Sequence, residues 1–214
     1  MKRPLLLGHR GARASRHIPE NTLASFELCL QHGCDGFEFD VRRSADGQAV
    51  VCHDPVVREA EIATTPSSVL GLTTLHEVLR SFASRAFLNI ELKVSGLERE
   101  TIALLRQHPP QRGYVVSSFL PQVLVALHDI DATIPLGFIC DNEVELWQRL
   151  PVDWVMPQVE LADQKLIGLL HGVGKKIMAW TVNRANEMKN FTEWGADAVI
   201  VDETQLAVRV LSDF

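Results

Sequence analysis

Two acidic side chains interrupt a short apolar run near residue 40. Glu38 and Asp40 are two positions apart, so on a β-strand both project from one face, with Cα atoms roughly 7 Å apart. Phe37, Phe39 and Val41 then occupy the opposite face. Burying two carboxylates is costly unless a cation or a hydrogen-bond network compensates their charge. The pair therefore indicates a functional strand end.

Three other short polar groups follow apolar runs in the same way. His53 and Asp54 come after residues 49–51, beyond a turn-like segment at 45–47. Glu91 and Lys93 end the run 87–93, and His9 with Arg10 follows the run 2–8. The candidate chemical residues are thus His9, Arg10, Glu38, Asp40, His53, Glu91 and Lys93.

An alternation of short apolar runs with amphipathic segments predicts the elements that position these residues. Eight strands are predicted, at 2–8, 36–41, 87–93, 114–117, 134–139, 153–156, 176–181 and 198–201. Helices are predicted at 21–31, 73–82, 97–107, 123–127, 143–149, 164–170, 187–194 and 204–211, and 55–72 is expected to be a loop. Strict β–α alternation requires a parallel sheet. We predict an α/β fold, a (β/α)8 TIM barrel, with an open doubly wound sheet as the competing architecture.

In a barrel of this kind, side chains at the carboxyl ends of neighbouring strands lie close together. Glu38, Asp40 and Glu91 can then converge, and three carboxylates suit a hard divalent cation such as Mg²⁺, Ca²⁺ or Mn²⁺. Arg10 and Lys93 would add positive charge for an anionic substrate. Histidine titrates near neutral pH, so His9 and His53 are candidates for an acid and a base. The alternative for each residue alone is a structural ion pair or a hydrogen-bonded core histidine.

Five short motifs make the chain resemble the glycerophosphodiester phosphodiesterases. They are HRG at 9–11, PENT at 19–22, ExD at 38–40, HD at 53–54 and ExK at 91–93, and weaker similarities continue at 74–79, 117–119, 180–183 and 195–202. The match covers nearly the whole chain in the right order. Two departures lie in the brief segment 55–72 and in the end of the last strand, and both concern the rim of the pocket.

The resemblance implies a phospholipase-C-like TIM barrel that hydrolyses glycerophosphodiesters, for example glycerophosphocholine or glycerophosphoethanolamine. The products would be sn-glycerol 3-phosphate and an alcohol. By similarity, Glu38, Asp40 and Glu91 would bind the metal and His9 and His53 would form the acid–base pair. The remaining implied roles are substrate binding by Arg10, Lys93, Phe119 and Trp180, and support of the first loop by Glu20 and Asn21.

Length and composition limit the other possibilities. The chain has 214 residues, 46% hydrophobic and 22% charged, which predicts a single globular domain over 1–214. Its formal charge of −6 argues against a nucleic-acid partner. No apolar run is long enough for a transmembrane helix, and the N-terminal apolar stretch is too short for a signal peptide, so a cytoplasmic location is expected. The four cysteines show no zinc-ligand spacing and are expected to be reduced.

Two other functions remain open on the sequence. One is a related phosphodiesterase acting on lysophospholipid or sphingolipid headgroups, and the other is a barrel that binds phosphodiesters without cleaving them. An assay of both diester classes side by side distinguishes the first alternative from a glycerophosphodiester hydrolase. Binding without turnover under saturating metal would indicate the second.

Overall fold

The computed structural model describes residues 3–212 and 214 and contains eleven strands. They are β1 Leu5–Gly8, β2 Gly36–Arg43, β3 Ala49–Val51, β4 Val56–Val57, β5 Ala60–Glu61, β6 Phe87–Leu92, β7 Tyr114–Ser118, β8 Leu136–Cys140, β9 Trp154–Pro157, β10 Lys176–Ala179 and β11 Ala198–Val201. The first strand was expected from residue 2, and Lys2 lies outside the described residues. The other predicted strands are present, and each end lies within two residues of its predicted position.

Eight of these strands close into a parallel barrel. The hydrogen-bonded order is β1-β11-β10-β9-β8-β7-β6-β2, and β1 also pairs with β2, which completes the ring. The predicted (β/α)8 barrel is confirmed, and a sheet closed in this way excludes the open doubly wound alternative. The ninth member of the sheet, β3, pairs antiparallel with the outer end of β2.

Helices cover the outside of the barrel. The α-helices are α1 Leu23–Gln31, α2 Ser67–Leu70, α3 Leu75–Phe82, α4 Glu98–Gln107, α5 Pro121–Ile130, α6 Gln164–Gly172, α7 Ala185–Glu193 and α8 Thr204–Leu211. Short 3₁₀ helices occupy Ile62–Thr64, Val144–Arg149 and Val159–Leu161. Thr74 caps the start of α3 in a capping box with Glu77, as the Thr-x-x-Glu spacing predicts.

Two predicted segments differ in the structure. The helix expected at 143–149 is a 3₁₀ helix rather than an α-helix, and it begins after Glu143 in a left-handed conformation at φ 38°. An apolar spacing of three residues suits both helix types, so the pattern alone does not separate them. The segment 55–72 is also more ordered than a loop, because it contains the β4–β5 hairpin, a 3₁₀ turn and α2.

The core has two layers, one inside the barrel and one between the strands and the helices. Leu7, Met156 and Ile200 are among the buried residues of the inner layer. In the outer layer, Phe26 of α1 stacks on Phe37 of β2 at a centroid distance of 4.2 Å. Each such aromatic pair contributes about 0.5–1.5 kcal/mol beyond the burial of its surface. The outward face of β2 therefore anchors the strand, while its inward face carries the two acids.

The chain's thiols and helices give two further observations. Cys29, Cys34 and Cys140 are buried and Cys52 is half-buried, and all four are free. Among the described helices, none combines the length and apolar character needed to cross a membrane.

Candidate functional site

The strand register brings the acidic residues together at the carboxyl ends of β2 and β6. Glu38 is paired with Asn89 and Asp40 with Glu91, so Glu91 lies directly beside Asp40. One carboxylate oxygen from each of Glu38, Asp40 and Glu91 lies within 4.8 Å of the other two. All three residues are buried.

Burial without full compensation perturbs two of these carboxylates. Desolvation, reinforced by the charges of Asp40 and Glu91, raises the pKa of Glu38 well above its ordinary value. Desolvation and the charge of Asp40 also raise the pKa of Glu91 to about 7, although Lys93 opposes the shift. Glu38 Oε1 is buried and has no hydrogen-bond partner among the residues that the structure describes. Such an atom fits a site completed by a cation, because an unpaired buried oxygen is otherwise costly.

Two cationic side chains border the cluster. Lys93 Nζ lies 2.6 Å from Glu91 Oε1 and 3.4 Å from Asp40 Oδ1. Arg10 Nε lies 3.2 Å from Asp40 Oδ2. Burial lowers the pKa of Lys93, but Glu91 and Asp40 raise it more, so the ammonium stays charged. The site thus holds fixed positive charge next to its carboxylates, as an anionic substrate requires.

The backbone at Arg10 turns sharply to hold the first loop over the cluster. Arg10 has φ 52°, a left-handed conformation that is costly for a residue with a side chain. Its N–H donates to Glu38 Oε2 at 3.0 Å, and its guanidinium donates to Glu20 Oε1 at 2.7 Å. Asn21 donates from Nδ2 to Asp40 Oδ2 at 2.8 Å. Glu20 and Asn21 therefore fix the position of the first loop relative to Asp40.

His9 follows β1 and is held by an aspartate from the last strand. His9 Nδ1 lies 2.7 Å from Asp202 Oδ1, and Nε2 lies 3.9 Å from Glu38 Oε2. Because a carboxylate only accepts hydrogen bonds, the Nδ1 proton must face Asp202, which leaves Nε2 directed to the cluster. Burial raises the pKa of Asp202, but hydrogen bonds from His9 and Asn183 and the charge of His9 lower it to about 2. These contacts therefore favour the ionised form of Asp202 near neutral pH.

His53 follows β3, the strand that pairs with the end of β2. Its position follows from Arg42 Nε, which donates to the His53 carbonyl at 2.7 Å. His53 Nδ1 lies 2.7 Å from Asp54 Oδ1. The hydrogen bond from His53 lowers the pKa of Asp54. His53 is more exposed than His9, at 36% against 14% of the side chain.

A cavity of about 160 Å³ at the barrel mouth joins these groups. We call it the mouth cavity. Phe119 and Trp180 line it and pack edge to face at a centroid distance of 5.6 Å, with Trp180 Nε1 donating to the Met156 carbonyl at 2.8 Å. The residues around it include His9, Arg10, Glu38, His53, Glu91 and Lys93. Asp40, Glu20 and Asn21 do not line this cavity, and the two loop residues contact the site through Arg10 and Asp40.

The structure adds three residues that were not among the sequence candidates. Asp202 and Asn183 bond each other twice, since Asn183 Nδ2 donates to Asp202 Oδ2 at 2.7 Å and the Asp202 N–H donates to Asn183 Oδ1 at 2.8 Å. Arg13 donates to Asp202 Oδ1 at 3.2 Å and to Glu20 Oε2 at 2.8 Å. The segments 180–183 and 195–202 carried family-like similarity, which was the available signal for the first two residues.

Fold and site together define a class: a (β/α)8 barrel with an acidic cluster able to hold a metal, two cations and two histidines around one cavity. The family model described as "Glycerophosphoryl diester phosphodiesterase family" matches residues 9–89 and 87–206. The chain belongs to this family and is an enzyme of the phosphoric diester hydrolase class.

Individual relatives agree over the whole chain. A glycerophosphodiester phosphodiesterase from Caldanaerobacter subterraneus is 26% identical, covering 97% of both chains. A solved Oleispira antarctica phosphodiesterase, in complex with the product sn-glycerol-3-phosphate, is 29% identical with a TM-score of 0.85, covering 98% of this chain and 97% of that one. A glycerophosphodiester phosphodiesterase from Thermotoga maritima is 25% identical with a TM-score of 0.83, covering 98% and 99%. These matches do not favour the lysophospholipid, sphingolipid or non-catalytic alternatives.

Proposed function

We propose that this enzyme hydrolyses glycerophosphodiesters, such as glycerophosphoethanolamine and glycerophosphocholine, to sn-glycerol 3-phosphate and an alcohol. The observation that carries the proposal is the single mouth cavity shared by two histidines, two cations and buried carboxylates. The product bound to the Oleispira antarctica relative supports the same substrate class.

We assign the metal to Glu38, Asp40 and Glu91, with Mg²⁺ or Ca²⁺ as the expected ion and Mn²⁺ as a third choice. When bound, a divalent ion supplies Lewis-acid stabilisation of negative charge that develops on the phosphoryl oxygens. The orphaned Glu38 Oε1 and the all-oxygen ligand set support this assignment.

The cationic side chains bind the anion and the histidines move the protons. Arg10 and Lys93 are placed to hold phosphate oxygens, where charge-assisted hydrogen bonds are strong. One histidine accepts the proton of the nucleophile, which is either water or the substrate's own glycerol hydroxyl, and the other donates a proton to the departing alkoxide. Each such transfer contributes about 10²–10⁴-fold in rate. Asp202 holds His9 with Nε2 facing the substrate, and Asp54 orients His53 more loosely. Phe119 and Trp180 wall the cavity and exclude water from one side.

Chelation and histidine replacement test this function together. EDTA should abolish release of glycerol 3-phosphate from glycerophosphoethanolamine, and Mg²⁺ or Ca²⁺ should restore it. His9→Ala and His53→Ala should each lower kcat by about 100-fold or more. The matched control is His128→Ala, which removes a partly exposed histidine of α5 and should leave kcat unchanged. Full turnover after chelation, or in both site variants, would contradict the proposal.

The expected cytoplasmic location and single-domain organisation over 1–214 stay proposals with the same enzyme. Fractionation of cells that express the chain tests the first. One cooperative unfolding transition, with coincident signals from different probes, tests the second.

A further inference from the structure

A second cavity lies beside the mouth cavity and has no part in the reaction as described. It has a volume of about 250 Å³ and lies between the loop 19–22, the segment 51–54 after β3, the β4–β5 hairpin and residues 71–73. We call it the hairpin cavity. His53 lines both cavities, whereas His9 lines only the mouth cavity among these two. His53 therefore stands at the boundary between two neighbouring spaces.

A bound phosphodiester needs two spaces of this kind, one for each of its ester arms. Phosphorus carries two ester arms, and the attacking and leaving oxygens lie roughly in line on opposite sides of it. A phosphate held at Arg10 and Lys93 would place one arm in the mouth cavity, against the apolar side chains of Ile139, Met156 and Ile200. The other arm must leave in a different direction, and the direction past His53 opens into the hairpin cavity.

We propose that the hairpin cavity is the subsite for the leaving alcohol, and that it takes a compact alcohol carrying hydrogen-bond donors, such as the primary ammonium of ethanolamine. This inference rests on the proposed function. In this arrangement the glycerol arm, which all these substrates share, lies deep in the barrel. The alcohol, which differs between them, lies under the β4–β5 hairpin. His53 is then the histidine beside the departing oxygen.

The chemistry of the lining supports this ligand class. Glu20 and Asp54 line the cavity, and since both Glu20 oxygens already accept from Arg10 and Arg13, Asp54 is the carboxylate that is left for a ligand. Asp54 is 73% exposed, and His53 occupies only its Oδ1 atom, so Oδ2 remains for a donor. Arg58 adds a cation from the hairpin turn, where its side chain is exposed and its charge is screened by water.

The lining also argues against the trimethylammonium group of choline. Such groups are recognised by the faces of aromatic rings. Within the described part of the chain, no Phe, Tyr or Trp lines the hairpin cavity. An ethanolamine diester is therefore the better substrate on this chemistry.

Adjacent valines of β4 provide a matched pair of variants. Val57 lines the hairpin cavity, while Val56 is 50% exposed and does not line it. We measure kcat/KM for glycerophosphoethanolamine, for glycerophosphocholine and for the methyl ester of glycerol 3-phosphate, whose leaving alcohol is minimal. The wild type should prefer the ethanolamine diester to the choline diester. Val57→Phe should lower kcat/KM for the ethanolamine diester roughly tenfold and leave the methyl ester within about twofold. Val56→Phe should match the wild type on all three.

Inhibition by glycerol 3-phosphate separates the subsite from the site as a whole. Its inhibition constant should be equal in the wild type and both variants, because the product occupies the mouth cavity. Equal losses by Val57→Phe on the methyl and ethanolamine diesters, or no loss on either, would overturn the subsite. A preference for the choline diester would overturn the ligand class. Failure of the wild type to cleave any of the three diesters would reject the proposed function itself.

Cys52 gives a second route if Val57→Phe does not fold, since Val57 packs against the buried side chains of Val50, Ile62 and Leu70. Cys52 lines the hairpin cavity and is half-buried, whereas the other three cysteines are buried. Burial raises the pKa of the Cys52 thiol, so labelling is done at alkaline pH. A bulky disulfide-forming reagent should reduce turnover of the ethanolamine diester far more than that of the methyl ester, and Cys52→Ser should abolish the effect. Equal reduction of both substrates would overturn the subsite.

Discussion

At the scale of single residues, the two histidines of the site have the same partner type but different support. Each has an aspartate oxygen 2.7 Å from Nδ1. The side chain of Asp202 is 24% exposed and that of Asp54 is 73% exposed. Asn183 and Arg13 also bond Asp202. We therefore expect His9 to depend on its aspartate much more than His53 does.

Asp202→Asn tests this difference. An amide in place of the carboxylate can present a donor to Nδ1 and so favour the wrong tautomer of His9. We expect kcat to fall about 100-fold with KM nearly unchanged, because substrate-binding side chains are untouched. The matched variant Asp54→Asn should lower kcat by less than about tenfold. Equal losses in the two variants, measured by initial rates across substrate concentration, would contradict the ranking.

Asp202 is also a residue whose role the sequence did not predict. Glu38, Asp40 and Glu91 were predictable because strand alternation and adjacent strands bring them together. Asp202 was not chosen, because a lone acid after an apolar run gives no indication of its partner. His9 and Asp202 are 193 positions apart, and their contact follows only from the closure of β1 against β11.

At the scale of elements, close strand packing depends on glycine at the start of β2. A Cβ placed on Gly36 would lie 1.8 Å from the carbonyl oxygen of Phe87 on β6. That oxygen belongs to backbone and cannot rotate away. The β2–β6 register, which sets the spacing of Asp40 and Glu91, therefore requires glycine at this position.

Gly36→Ala should consequently lower the free energy of unfolding by about 3 kcal/mol or more. Gly168→Ala is the matched control, because Gly168 is an exposed residue within α6 and a Cβ there has no atom within 4 Å. Alanine is the better helix former, so this change should raise the free energy of unfolding by up to about 1 kcal/mol. Urea unfolding measures both. A stability near wild type for Gly36→Ala would show that β2 and β6 separate easily.

Elements also show where sequence patterns are ambiguous. The strands were predictable because they are short apolar runs in regular alternation with helices. The prediction of an α-helix at 143–149 was wrong, because Val144 and Trp147 share a face in a 3₁₀ helix as well as in an α-helix. The hairpin at Val56–Val57 and Ala60–Glu61 was missed because its two strands are too short to show alternation, and its turn uses Arg58 and Glu59 with positive φ rather than glycine.

At the scale of the whole molecule, the negative charges of the carboxylates at the barrel mouth oppose folding unless cations compensate them. Three buried carboxylates face each other, with Lys93 and Arg10 as their cationic neighbours. A divalent cation that binds only the folded protein stabilises it by mass action. Stability of the entire barrel should therefore report on occupancy of this one site.

Glu38→Gln tests that coupling without an activity assay. At a metal concentration 100 times the dissociation constant, the wild type should gain about 2.7 kcal/mol. The variant keeps the shape of the side chain but loses a charged ligand, so its gain at the same concentration should be much smaller. Glu160→Gln, at an exposed position of the Val159–Leu161 turn, should respond like the wild type. Thermal unfolding with and without Mg²⁺ or Ca²⁺ measures all three, and an undiminished shift in Glu38→Gln would exclude Glu38 as a ligand.

The contact between His9 and Asp202 also bears on synthesis of the protein. A ribosome has made every proposed metal ligand and both histidines once residue 93 is translated, yet the support of His9 arrives with residue 202. A nascent chain that lacks β11 has neither a closed barrel nor an oriented His9. If His9 has the proposed role, the enzyme becomes active only after the final strand is translated, and prematurely terminated chains carry the proposed metal ligands and both histidines in an inactive form.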